Sequence, residues 1–287
     1  MQLSEYDAFG PWIYEIDATH QIPSVFENYI DREADPVLMI KIPVKKERRN
    51  IKPGMVMYDQ MVCMYRERMD IAQYADGSVK TIQIPYNSIA AIENSITLLY
   101  GKFSIFTTTG MIDFEYNTVS KEIADKLATA IREKLPVKDR KISLPGGGKE
   151  RELSFFFNNL WDRTKETEDN LHIAAYQPEI LIDYTKPNVF LNAYKMMFHP
   201  ILRASLHLYN DREFIVIYRG SGIKSRNKVD YNYKYLYVPF DRISSVSLKD
   251  TEKYSNIAEL SIHSNIHTFT IMVEKGNAEF DYINQFS

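Results

Sequence analysis

The sequence predicts a mainly β chain made of two copies of one curved antiparallel sheet, each rolling toward a barrel and each closed by a helix at its C-terminal end. Three observations carry that expectation. Apolar segments alternate with a period of two, as in Ile82, Ile84 and Tyr86 against Gln83 and Pro85. Four sequence blocks recur in the same order in both halves, and each series ends on apolar residues at helical spacing. A sheet that curls leaves an open end, and an amphipathic helix laid across it buries both apolar surfaces at once.

The blocks of the first half are MYDQMVCMYRER (57–68), IQIPYNSIAAIEN (82–94), KFSIFTTTGMIDFEY (102–116) and KEIADKLATAIREKL (121–135). Those of the second are LYNDREFIVIYRG (208–220), LYVPFDRISSVSL (236–248), ELSIHSNIHTFTIMV (259–273) and AEFDYINQF (278–286). Tyr58 matches Tyr209 at an offset of 151, Tyr65-Arg66 matches Tyr218-Arg219 at 153, Pro85 and Ile89 match Pro239 and Ile243 at 154, and Ser104-Ile105 matches Ser261-Ile262 at 157. The offset grows only between blocks, as loop insertions would make it.

Taken in order, 9–16 and 36–44 supply the early strands of the first copy. Asp76-Gly77 and Thr109-Gly110 mark hairpin turns between the strands that follow. Ile123, Leu127, Ala130 and Ile131 then predict a helix over about 119–135, with Ser120 placed to cap it and no proline before Pro136. The first domain is set at 1–137 and a linker at 138–149, around Gly146-Gly147-Gly148. In 150–287 a helix over about 150–168 presents Leu153, Phe156, Phe157, Leu160 and Trp161 on one face, to be packed against a sheet. Residues 171–184 and 189–199 read as the early strands of the second copy, and Phe280, Ile283 and Phe286 as a closing helix over about 276–286.

The stretch from IPYNSIAAIEN through the Thr-Gly hairpin to the helix ending ATAIREKL resembles the C-terminal half of bacterial pleckstrin-homology-like (PH-like) domains, and VPFDRISSV onward repeats the pattern. The resemblance implies two tandem PH-like bent barrels, a scaffold used mainly to bind lipids, peptides or protein partners. Such a fold does not fix a function.

Composition narrows the classes. The 287 residues are 45% hydrophobic and 13% aromatic, too apolar for a disordered chain. The net charge of -3 is shared, with 18 basic and 20 acidic residues in 1–145 and 17 and 18 in 146–287, so no nucleic-acid partner is expected. Cys63 alone excludes an intramolecular disulfide, and it lies in an apolar run where burial would keep it an inert thiol. With neither a bilayer-length apolar run nor a basic, apolar leader, a cytoplasmic protein is expected.

Lys45, Lys46, Arg48, Arg49 and Lys52, with Lys41, form the strongest charge cluster, and Lys224, Arg226 and Lys228 a second. Several cations converging on one point are how a multiply charged head group is held; otherwise they are solvated loops whose charges protect strand edges. Tyr231, Tyr233, Tyr235 and Tyr237 alternate on one strand face and, with Trp12, are candidates for a partner surface. His263 and His267, beside the turn at Ser264-Asn265, fall short of a metal site and read as surface residues, and no catalytic, dinucleotide or Walker motif occurs. The leading expectation is therefore a protein without cofactor, metal or catalytic activity that binds a protein or peptide partner or a second copy of itself. The alternatives are a peripheral membrane adaptor using the 41–52 loop on anionic head groups, and an enzyme with a pocket between the domains.

Overall fold

The computed structural model describes residues 6, 9–46, 48–136, 152–168, 170–220, 222–226 and 231–286. The expected linker and Lys228 lie outside them. The chain is mainly β, and its contacts divide it into two compact units, one of residues up to Ile89 with Ile96–Pro136 and one of Ala90–Ser95 with the residues after Pro136.

In the first unit β1 (Tyr14–Glu15), β2 (Leu38–Pro43), β3 (Tyr58–Met64), β4 (Arg68–Ala75) and β5 (Ser78–Pro85) pair antiparallel in chain order. A 3-10 helix at Ser24–Tyr29 drops Phe26 into a cluster of Met61, Cys63, Tyr65 and Ala72. Asp76 (φ 51°) and Gly77 (φ 79°) both take the left-handed conformation that lets a two-residue turn follow the twist of the sheet, and Ala75 pairs with Ser78 across it. Next in the chain come β6 (Ile89–Ile96), whose Ala90–Ser95 belong to the second unit, and then β7 (Tyr100–Thr107) and β8 (Gly110–Asn117), in register from Tyr100↔Asn117 to Thr107↔Gly110. Helix α1 (Lys121–Lys134) buries Ala124, Leu127, Ala128 and Ile131. Its start differs from the expectation: Ser120 makes no side-chain cap, and Asn117 Oδ1 instead accepts from Val119 N–H at 3.0 Å, one 3-10 turn earlier.

The second unit opens with α2 (Phe155–Thr167) and β9 (His172–Gln177), followed by β10 (Ile180–Leu181), α3 (Val189–Phe198), β11 (Pro200–Leu202), β12 (Ser205–Tyr209), β13 (Glu213–Arg219) and β14 (Ile223–Ser225). β15 (Tyr233–Pro239), β16 (Ile243–Asp250), β17 (Ile257–Ser264) and β18 (Thr268–Glu274) complete it. β9, β12, β13 and β15 lie side by side with β6 next to β15; β10, β11 and β14 form a second sheet, and β16 to β18 a third. Phe214, Ile215, Val216 and Ile217 on β13 are buried in succession, as a central strand covered on both faces requires.

Three expectations are corrected here. Among the described residues none of the sheets closes into a barrel; the five-stranded sheet ends on a two-residue β1 and on a β5 whose side chains are mostly exposed. Residues 189–199, read as a strand, hold α3, because Asn188 Oδ1 accepts from Leu191 N–H at 2.8 Å and starts a helix there. The closing helix over 276–286 is a run of 3-10 turns, Ala278–Phe286. Its buried Phe280, Ile283 and Phe286 recur every three residues, the period of the 3-10 helix, and Phe280 meets His207 of β12 while Phe286 meets Phe214 of β13.

One local device occurs twice. Pro85 (φ −61°, ψ 136°) ends β5, a 3-10 turn at Tyr86–Ser88 follows, and Ile89 N–H donates to Tyr86 O as β6 begins. Pro239 (φ −57°, ψ 137°), the turn at Phe240–Arg242 and Ile243 N–H donating to Phe240 O repeat it between β15 and β16.

Candidate functional site

The basic loop after β2 gathers some of its cations in one cleft and turns others elsewhere. Lys41 is buried within β2, its ammonium 3.0 Å from Gln21 O and 4.5 Å from the centre of the Tyr58 ring, so it is a structural cation. Arg48 donates to Phe9 O and lies over the Tyr6 and Phe9 rings, holding the N-terminal segment down. Lys45 and Lys46 do line, with Arg48, an open cleft of about 410 Å³ walled by Pro43, Tyr100 and Tyr116. Within it Lys45 pairs with Glu115 at 3.0 Å, a neutralising partner from the same unit. Arg49 and Lys52 are exposed in the turn beyond.

Phe9 and Ile13 are buried, so the N-terminal aromatic segment is tied to the core of its unit, while Trp12 remains 38% exposed with its edge toward Tyr14. Gly10 is required there: a Cβ would stand 2.4 Å from Tyr14 Oη and 2.6 Å from the Trp12 ring. The tyrosine ladder of β15 is divided. Tyr231 is exposed, Tyr233 meets Phe156 of α2 edge to face at 5.6 Å, Tyr235 is buried, and Tyr237 stacks on Tyr235 at 6.0 Å. Phe156 also receives the Arg219 guanidinium at 4.1 Å, and Phe157 packs on Tyr176, so the apolar stripe of α2 is spent on the sheet of its own unit.

A contiguous apolar surface is left uncovered on α3, which sequence reading missed. None of its ten residues is buried; Val189, Phe190, Met196 and Met197 are 81%, 85%, 75% and 70% exposed. At about 100° per residue, Met196, Val189, Ala193, Met197 and Phe190 cover one continuous arc of about 120°. The opposite side is anchored. Lys195 pairs with Asp183, Tyr194 packs on Phe198 at 4.8 Å, and the terminal carbonyls of Phe198 and His199 accept from Arg226 N–H at 3.2 and 3.1 Å. Ser225 Oγ donates to Phe198 O as well. His199 closes the helix in the left-handed conformation (φ 42°), and Pro200 prevents its continuation. The second basic site, Lys224 and Arg226 on and just after β14, is thereby fixed at the C-terminal end of α3. Asn188 before an apolar run and Pro200 after it were the signals available in the sequence.

The interior of the second unit holds two polar features that sequence reading also missed. Ser205 Oγ lies 3.0 Å from His207 Nε2, and His207 Nδ1 lies 3.1 Å from Tyr282 Oη, all three at most 1% exposed. Burial pushes the imidazole down to about 3, so it stays neutral and a weak base at ordinary pH. Nearby, a half-open pocket of about 320 Å³ is lined by Arg203, Ser205, Tyr218, Arg219, Gly222 and Met272. Arg203 Nε and Arg219 Nη1 are buried without a hydrogen bond at those atoms, although both residues make other interactions. Beside it Tyr218 donates to Glu93 Oε2, and Lys234 reaches Glu93 Oε1 at 2.9 Å. Burial, and then the Glu93 charge, raise the Tyr218 phenol far above its usual range.

His263 and His267 flank the β17–β18 turn, His263 held by Ser247 and Thr268, and no group of three or more potential metal ligands gathers among the described residues. Cys63 is 3% exposed and burial pushes its thiol up to about 12. No helix among the described residues is long and apolar enough to cross a membrane. No protein-family model matches the sequence, and no curated protein matches it.

Proposed function

We propose that this chain is a binding protein with no chemistry of its own, built from two PH-like modules in tandem, and that it docks through α3. The observation that carries the docking face is the continuous arc of exposed Val, Phe and Met side chains on a helix that buries none of its residues. Scattered apolar residues are ordinary on a surface, but a contiguous patch that contributes nothing to its own core is the usual mark of an interaction site. The tandem reading is supported by the matched Pro–3-10–Ile corners at Pro85 and Pro239, which lie at the same place in the two series of blocks. The non-enzymatic reading is supported by the Ser–His pairs among the described residues: Ser205–His207 is sealed with its base held neutral by burial, and Ser247–His263 has Thr268, not a carboxylate, at its second ring nitrogen.

A docking face and a core helix respond oppositely to polar substitution. Phe190→Ser with Met197→Ser should leave unfolding free energy within about 0.5 kcal/mol of the native protein in urea melts, as for surface changes. A loss of about 3 kcal/mol or more, the cost of deleting a buried aromatic, would show that α3 is core and remove the proposal.

A further inference from the structure

We infer that the occupant of the α3 face is an anionic lipid surface, with the helix lying in the plane of the bilayer interface. The inference rests on the docking reading of α3 and names its partner. Ten residues at about 1.5 Å each give a helix of about 15 Å, half the thickness of a hydrocarbon core, so α3 can lie in a membrane but not cross one. Its solvent-facing arc carries Val189, Phe190, Met196 and Met197, the side chains that enter the boundary between head groups and acyl chains.

Charge selects among the three kinds of occupant. From 184 to 210 the sequence contains no Asp or Glu. Lys186 and His199 stand exposed at the two ends of α3, and the exposed Arg226 is bonded through its backbone to the helix C-terminus. Asp183, the acidic side chain in contact with the helix, is occupied by Lys195. Lys186 and Arg226 therefore flank the two ends of the apolar arc with positive charge, on a chain whose net charge is -3, and the exposed Glu252 of the loop bonded to Thr185 is balanced by its neighbour Lys253. A second copy seated on the same face would set like charges against each other. A protein partner would have to supply a groove deep enough for a helix that projects with none of its residues buried, whereas a bilayer needs only apolar depth under a plane of phosphates. A negatively charged leaflet meets both requirements, with about fivefold in affinity for each cation near the surface.

Cys63 is buried and its thiol unreactive, so a cysteine placed at Met197 can be labelled selectively in the full chain. The Met197→Cys protein carrying an NBD fluorophore is mixed with vesicles of phosphatidylcholine and phosphatidylserine (7:3), or of phosphatidylcholine alone, and the native protein is floated on the same vesicles. Expected are a blue shift and flotation with the anionic vesicles, weakened by salt, weakened roughly 25-fold by Lys186→Ala with Arg226→Ala, and lost with Phe190→Ser. Absence of flotation on anionic vesicles overturns the lipid inference. If in that case light scattering shows an oligomer that Phe190→Ser dissolves, the docking face survives with a protein occupant. If the Met197→Cys thiol does not react in the native protein, the docking reading falls as well.

Discussion

At the scale of single residues, the side chains that matter most are polar groups the fold has sealed. His207 is fully buried and bonded on both ring nitrogens, with its pKa pushed down to about 3. Between pH 6.5 and about 3 the unfolded chain takes up a proton here that the folded chain does not. The stabilisation is thus full above pH 6.5 and is lost as the pH falls through that window, by a few kcal/mol in all. Melting temperature measured from pH 7 to pH 4 should fall for the native protein and fall less for His207→Leu; parallel curves would show that another group drives the acid limb. In the first unit Arg68 bridges Asp31 at 2.8 Å and Asp70 at 2.9 Å, and Asp70 is 5% exposed. Arg68→Met leaves that carboxylate buried without its cation and should cost about 1–3 kcal/mol in chemical denaturation. No spacing rule points to His207 or Arg68, because each also needs a partner distant in sequence, Tyr282 and Asp31, that reaches it only in the fold. The basic cluster divides: Lys45, Lys46 and Arg48 line one cleft, while Lys41 turns into the core and Lys45 and Arg48 are already engaged by Glu115 and Phe9 O, none of which adjacency in sequence reveals.

Elements were legible where the determining chemistry is local. Asp76-Gly77 makes a hairpin because those two residues accept left-handed dihedrals, and α1 forms where apolar residues recur every three or four positions. Element 189–198 was misread because an unbroken apolar run fits a buried strand as well as a helix, and nothing in its composition announces that its side chains face solvent. The 3-10 run at Ala278–Phe286 was read as an ordinary helix although its three-residue period was already visible in Phe280, Ile283 and Phe286. Gly101 on β7 shows a requirement of packing that periodicity does not reveal. The Tyr116 ring of β8 lies across it so closely that a Cβ would stand 2.0 Å from Tyr116 Cζ. Gly101→Ala should therefore destabilise by about 1–3 kcal/mol, read from a urea midpoint at unchanged slope. An unchanged midpoint would mean that the ring can move aside at no cost.

For the whole molecule, the repeated blocks of sequence meet a chain whose contacts divide it into two units, with Ala90–Ser95 taken from the first run of sequence into the second unit. That exchange was not legible, since nothing in β6 itself names its neighbour and its partner β15 lies well over a hundred positions downstream. Near-neutral net charge gives no hint of a local cationic stretch, because an average over 287 residues conceals a run from 184 to 210 with no acid at all. Function on this reading depends on α3 being stable enough to form yet left without cover until its partner arrives. Amide hydrogen exchange across 189–198, in the full chain with and without phosphatidylserine-containing vesicles, tests this most directly. Weak protection in the protein alone, rising roughly tenfold or more on the vesicles, is the predicted result. Strong protection before any vesicle is added would show the face already covered, and unchanged weak protection on the vesicles would show that no anionic membrane covers it.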